Sequence, residues 1–272
     1  MRAACRALLG ATLAFAAASP AAQPVLDRFP GVASAYAVAI DGELTWGAGL
    51  DAPRQPASLA KLLTALVLLD PGWQADAEVR VSAAAAGIEG SRMGLRAGEV
   101  LRAADLLSGM LVRSGNDACL ALVEHAAGNI AAFAARMNQR AAALGMRASR
   151  FVHPCGLDAP GQHTTARDLL RLAEAARREA QILKRVGAQS AVVRTRAGRE
   201  VRFHNSNALI GREPLATGLK SGYTRQAGNC LIALAGRGGH YVLVVLLDAG
   251  DRWWEATGMI AQALGRVAPP LD

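Results

Sequence analysis

The chain is 272 residues long, 52% hydrophobic and 19% charged, with a formal net charge of +8. That mixture supplies enough apolar residue for a large buried core and excludes a disordered, collagenous or coiled-coil polypeptide, while the length fits one large domain or two small ones. Of the 30 basic residues 27 are arginine, scattered through the chain among few aromatics, a pattern that speaks against a nucleic-acid-binding surface.

Arg2 and Arg6 precede the apolar stretch 7–18, and Ser19-Pro20-Ala21 offers small residues for cleavage, so residues 1–21 read as a secretory leader. The apolar run is shorter than the roughly 20 residues that span a bilayer, so no stable membrane anchor is expected after cleavage, and Cys5 comes too early to be a lipid-acylated cysteine. Losing Arg2 and Arg6 leaves a formal charge of about +6 on an exported, periplasmic protein. Cys119, Cys155 and Cys230 remain, an odd number in an oxidising compartment. Cys119, on the apolar side of a helix, reads as a core residue, leaving Cys155 and Cys230 as the expected disulfide. His125, His153, His163, His204 and His240 are dispersed without metal-ligand spacing, so neither a metal nor another cofactor is expected.

Alternation over 32–40, the turn Asp41-Gly42 and a second short run predict an opening hairpin. Nearly every side chain over 57–69 is apolar, which predicts a helix at the centre of a domain. Residues 73–102 read as loops with small strands, followed by helices over 103–112, 117–127, 130–144 with Asn129 as cap and Gly145 beyond the end, and 165–178 capped by Thr165. The period then returns to two over 191–196, 200–204, 215–222, 229–235 and 240–248, and a helix over 252–264 closes the chain, with Trp253 and Trp254 expected to pack on a sheet. Strands at both ends around a helical region predict an α+β fold in which one antiparallel sheet unites the N- and C-terminal segments.

Only three lysines occur, Lys61, Lys184 and Lys220. In a chain that uses arginine for plain positive charge, the lysines are the cations able to lose a proton. Ser58 and Lys61 lie three residues apart in the first turns of the apolar helix, which puts an amine beside a hydroxyl on one helical face. A hydroxyl becomes a nucleophile when a neighbour removes its proton, and a lysine becomes that base when burial and nearby cations lower its pKa. Ser114 and Asn116 flank Gly115 between two helices, where the bland account is capping. Lys220-Ser221-Gly222 lies on a predicted strand.

Ser58-x-x-Lys61, Ser114-Gly115-Asn116 and Lys220-Ser221-Gly222, in that order, match the motif trio of the penicillin-binding enzymes. From about residue 32 to the helix after Arg252 the chain resembles the low-molecular-mass penicillin-binding proteins, the D-alanyl-D-alanine carboxypeptidases of the S11 peptidase family. Ser114-Gly115-Asn116-Asp117-Ala118, Gly156-Leu157-Asp158, Thr165-Ala166-Arg167-Asp168 and Thr224-Arg225-Gln226-Ala227-Gly228 carry the likeness further. The resemblance implies the β-lactamase/transpeptidase-like fold, with a helical subdomain over about 73–180 inserted in an α/β part, and a single catalytic domain from residue 22 onward without the additional C-terminal domain of longer relatives.

It also implies roles. Ser58 would be the acylated nucleophile and Lys61 its base, Ser114 a proton relay, and Asn116 a clamp on the substrate amide and on Lys61. Lys220 and Ser221 would hold the substrate carboxylate, Gly222 would give room for an added strand, the amides of Ser58 and Tyr223 would form the oxyanion hole, and Arg252 would be a second carboxylate anchor or a surface arginine. Serine at 221 departs from the more frequent threonine, which keeps the hydroxyl and loses a methyl. The implied substrates are peptidoglycan stem peptides, with β-lactams as covalent inhibitors. The alternatives are a DD-endopeptidase, a serine β-lactamase, which would need a deacylating glutamate where only Glu174 and Glu179 on a helix offer themselves, and a non-catalytic peptidoglycan- or β-lactam-binding sensor.

Overall fold

A computed structural model describes residues 25–267, so the expected leader and Cys5 lie outside the described residues. β1 (Ala33–Ile40) and β2 (Glu43–Ala48) pair across Asp41 and Gly42, both at positive φ, the turn that Asp-Gly favours between twisted strands. A 3₁₀ turn, Ala57–Leu59, leads into α1 (Ala60–Leu68), of which every residue is buried. Next come β3 (Glu78–Arg80), α2 (Ala83–Gly87), β4 (Val100–Arg102) and α3 (Ala103–Ser108), the last running into a π-helical turn, Gly109–Arg113. α4 (Asn116–Ala127) and α5 (Ile130–Ala143) follow, and the Asn129 side chain accepts the Ala132 N–H as the expected cap.

α6 (Ala166–Ala176) starts at Thr165, whose hydroxyl accepts the Asp168 N–H, and stops short of the expected end. α7 (Ala180–Val186) was not foreseen; it is seven residues long and capped by the Glu179 carboxylate, too short for an apolar period to show. β5 (Ser190–Arg194) and β6 (Glu200–His204) form a separate hairpin, and β7 (Ala216–Thr224), β8 (Gly228–Arg237), β9 (His240–Ala249) and α8 (Arg252–Val267) complete the order.

The main sheet is five-stranded, antiparallel, in the order β2-β1-β9-β8-β7, so pairing of β1 with β9 joins the two ends of the chain and β7 is left at an edge. Both faces are covered. Ala35, Ala37, Ala39, Leu243, Val245 and Leu247 point to the helical side, while Tyr36, Val38, Val242, Val244 and Leu246 meet Met259, Ile260, Ala263 and Leu264 of α8. Successive strand residues alternate between faces, so a sheet buried on both sides needs continuous apolar runs, as β9 has. α8 buries Ala256, Met259, Ile260, Ala263 and Leu264, one helical face. Adjacent residues on a helix point about 100° apart, and accordingly Trp253 packs against that core while Trp254 is 76% exposed, which corrects the expectation that both lie on the sheet. Among the described residues no single helix is long and apolar enough to cross a membrane.

Candidate active site

Ser58 sits in the 3₁₀ turn that precedes α1, and Lys61 in the first turn of α1, where the side chain is fully buried. Lys61 Nζ lies 2.9 Å from Ser58 Oγ, 2.7 Å from Asn116 Oδ1 and 2.5 Å from the Cys155 carbonyl oxygen. No carboxylate touches it among the described residues. Burial, first, and the charge of Lys220, second, hold its pKa well below the ordinary lysine value, against a smaller opposing pull from Asp117. A neutral amine has two N–H donors and one lone pair. Both carbonyl oxygens can only accept, so they take the two donors, and the lone pair is left for the one partner that can donate, the Ser58 hydroxyl.

The second wall comes from the junction of the π-helical turn and α4. Ser114, 5% exposed, closes the turn at φ 63° and ψ 28°, and Asn116 opens α4. Asn116 is fixed at both ends: Nδ2 donates to the Glu89 carbonyl at 2.6 Å while Oδ1 accepts from Lys61. Asp117, which the sequence reading passed over as a functional residue, is fully buried and accepts the backbone N–H groups of Met93, Gly94, Leu95 and Ala118 at 2.9–3.1 Å. It ties the loop ahead of β4 to the start of α4 and so sets where Asn116 begins.

The third wall is β7. Lys220 is 1% exposed and its ammonium donates to the Ser221 carbonyl at 2.8 Å; burial, then the charge of Arg252, lowers its pKa to about 7. Ser221 Oγ lies 3.1 Å from the Ser206 carbonyl, an anchor from the loop after β6 with no periodicity to announce it. A Cβ on Gly222 would lie 2.8 Å from the Ser58 nitrogen and 2.9 Å from Ala57 Cβ, so the strand passes directly over the serine turn. Tyr223 next to it is 64% exposed. Arg252 Nη1 donates to the Gly222 carbonyl at 2.6 Å, so this half-buried arginine braces the edge strand and is not a free surface charge. A cleft of about 610 Å³ opens beyond Tyr223, between Glu89 on the helical side and Arg225 on the strand side.

The expected pairing of Cys155 with Cys230 is wrong. The disulfide joins Cys119 to Cys155, with Cα atoms 5.9 Å apart, and Cys230 is a buried free thiol whose pKa burial pushes up to about 11. The face of α4 that carries Cys119 packs against the loop holding Cys155, whereas Cys230 lies in β8 beside Gly222, facing the Ala227 carbonyl. Glu174 is held by Arg177 and Tyr241, and Glu179 caps α7, so both candidate deacylating carboxylates are engaged elsewhere.

Three independent pieces of chain thus surround one hydroxyl with a desolvated amine, an amide clamp and an edge strand. Residues 29–251 match the Peptidase_S11 family model, D-alanyl-D-alanine carboxypeptidase. The chain belongs to the S11 D-alanyl-D-alanine carboxypeptidase family. As an S11 protein it is 33% identical to the D-alanyl-D-alanine carboxypeptidase DacF of Bacillus subtilis over 71% of this chain and 51% of that one. Against DacC of Escherichia coli it is 33% identical, covering 89% of this chain and 61% of the relative, and against DacB2 of Mycobacterium tuberculosis 31%, covering 79% and 75%. The chain therefore spans half to three-fifths of the length of the first two relatives. The fold is that of the Streptomyces K15 DD-transpeptidase, with a TM-score of 0.82 at 23% identity over 89% of this chain and all of that one. A penicillin-binding protein homologue from Mycobacterium tuberculosis superposes with a TM-score of 0.81 at 29% identity, covering 92% and 96%. The expected fold class, with its antiparallel sheet and flanking helices, is the one observed.

Proposed function

We propose that this protein is a serine-type D-Ala-D-Ala carboxypeptidase that removes the terminal D-alanine from peptidoglycan stem peptides, and that β-lactams acylate and inhibit it. The observation that carries the reading is the hydrogen-bonding arithmetic at Lys61, whose two carbonyl partners leave its lone pair for Ser58. Ser58 gives its proton to Lys61 as its oxygen attacks the carbonyl of the penultimate D-alanine. The oxyanion is met by the N–H groups of Ser58 and Tyr223, where loss of one donor costs about 10² to 10³ in rate. Substrate lies against β7 as an added strand, its terminal carboxylate facing Lys220 and Ser221. Ser114 passes the proton to the departing D-alanine, and water hydrolyses the acyl-enzyme. Arg252 acts through the strand, by holding the Gly222 carbonyl and lowering the Lys220 pKa.

With export directed by the N-terminal leader, the site of action is the periplasm, next to the wall polymer. That the relatives DacF and DacC are D-alanyl-D-alanine carboxypeptidases supports this chemistry, and the engaged positions of Glu174 and Glu179 disfavour a β-lactamase. The decisive experiment offers purified mature protein a pentapeptide stem and a cross-linked muropeptide dimer and weighs the products. Free D-alanine with tetrapeptide is the expected result; cleavage of the dimer with the pentapeptide untouched would overturn the carboxypeptidase assignment in favour of an endopeptidase.

A further inference from the structure

Lys61 is held by two acceptors that come from different parts of the chain. Asn116 Oδ1 sits at the first residue of α4, and the Cys155 carbonyl belongs to a loop almost forty residues downstream. Cys119 lies one turn along α4 from Asn116, and its bridge partner is the residue that supplies the second acceptor. One covalent link therefore joins the two groups that occupy the N–H donors of the amine. Cys155 Sγ also lies 4.0 Å from the Asn116 carbonyl. That sulfur carries no hydrogen, so among the described residues no ion pair and no hydrogen bond joins loop 152–156 to α4. The remaining ties of the loop run to other elements: Thr64 donates to the Pro154 carbonyl, Gln162 accepts the Val152 and His153 N–H groups, and the Asn138 side chain brackets Phe151.

We infer that the Cys119–Cys155 disulfide is a positioning element for the proton-transfer amine: it fixes the separation of Asn116 Oδ1 and the Cys155 carbonyl, and so aims the Lys61 lone pair at Ser58. The inference rests on the acyl-transfer reading above. The bridge is a strut and not a redox switch, because Cys119 is 0% and Cys155 1% exposed, leaving a thiol reductant no line of attack on either sulfur in the folded protein. If one acceptor swings away, the amine is left with an unfilled donor in a dry site. Water then enters to fill it, solvation favours the ammonium, and the fraction of base at neutral pH falls.

A disulfide that merely stabilises the fold and one that positions Lys61 are separated by the pH–rate profile. The test compares C119A/C155A with the parent protein, both carrying C230A so that no third thiol can scramble, by stopped-flow acylation with a fluorescent penicillin at temperatures well below both melting points. The limb that rises with pH, where Lys61 loses its proton, moves up by about one unit in the bridge-free protein, and the limiting acylation rate at a fixed pH on that limb drops about tenfold, one pKa unit being one decade of base. Unchanged limb and rate in a folded, less stable variant would overturn the inference. If C119A/C155A does not fold, parent protein reduced under mild denaturant, with circular dichroism retained, is run against its re-oxidised form with the same two outcomes. Alkylation and intact mass of folded parent protein add a check, since free thiols at 119 and 155 would also overturn it. A bridged parent that is never acylated fails the acyl-transfer reading instead.

Discussion

Lys61 is a cation placed where a cation is costly, and the cost is what makes it useful. Arginine in its place would bring five N–H donors, no accessible lone pair and a plane too wide for the space between Asn116 and Cys155. We expect Lys61→Arg to lower acylation by about 10³-fold or more, within the range for loss of a positioned base, and Ser58→Ala to abolish covalent labelling while the melting temperature holds. Labelling of the arginine variant at the parent rate, read on a gel with a fluorescent penicillin, would remove Lys61 from the role of base. Lys220 has the opposite requirement, since it faces a carboxylate and must be charged. With its pKa brought to about 7 by burial and Arg252, the free enzyme loses that charge as pH rises through neutrality. The pH profile of kcat/KM for a peptide ending in a carboxylate is therefore expected to be bell-shaped, rising as Lys61 deprotonates and falling near 7 as Lys220 does. Arg252→Gln removes the second cause of the Lys220 shift, so the falling limb should move to higher pH. A limb that stays put separates Arg252 from Lys220. At Gly222 a methyl would meet the Ser58 nitrogen at 2.8 Å, so Gly222→Ala should cost about 10² in acylation, the scale of one oxyanion donor, and lower urea stability by about 1–3 kcal/mol as the strand is pushed off the serine turn.

At the scale of elements, the site is a matter of how three segments are fastened together. Asp117 is the fastening with the least redundancy. Its carboxylate satisfies three loop N–H groups and one at the start of α4, none of which has another acceptor among the described residues. Asp117→Ala leaves buried donors unpaired and should destabilise by about 3 kcal/mol or more in chemical denaturation; a change under about 1 kcal/mol would show the loop has other support. The disulfide contributes on a similar scale: closing a loop of sequence separation 36 removes about 4 kcal/mol of denatured-state freedom in the chain-entropy account. Gly156 is the third fastening. Its φ of +78° and the 1.9 Å that would separate a Cβ from the Ala57 carbonyl leave glycine as the residue that lets this loop lie on the serine turn.

For the whole molecule, packing the active site into the interior couples stability to pH. His153 lies beside that pocket with its Nδ1 accepting the Cys155 N–H at 3.2 Å, and burial, then the charge of Lys61, lowers its pKa from 6.5 to about 4. The folded state thus binds a proton at this histidine less readily than the unfolded chain does. Stability from this group is complete above pH 6.5 and is lost as pH falls from 6.5 towards 4. Denaturation midpoints should fall through that window, and His153→Asn, which keeps an acceptor near the same place and cannot titrate, should flatten the fall. An unchanged slope in the asparagine variant would assign the acid sensitivity to other groups.

The residue sequence by itself determined much of what depends on spacing within one element, a helix as short as α7 excepted. Ser58 and Lys61 share a helical face because three residues make nearly one turn, β1 and β2 turn at Asp41-Gly42, Asn129 and Thr165 cap the helices that follow them, and β7 can be recognised as a strand carrying Lys220, Ser221 and Gly222. The tertiary structure alone decided what depends on segments far apart in the chain meeting in space. It paired Cys119 with Cys155 and not Cys155 with Cys230, supplied Ser206 and Cys155 as partners through their carbonyl oxygens, and buried Asp117 under a loop two dozen residues upstream. Every residue carries the same carbonyl, so sequence cannot mark the one that will orient a buried amine; that choice is made when the core closes, and the same closure expels the water that would have kept Lys61 charged.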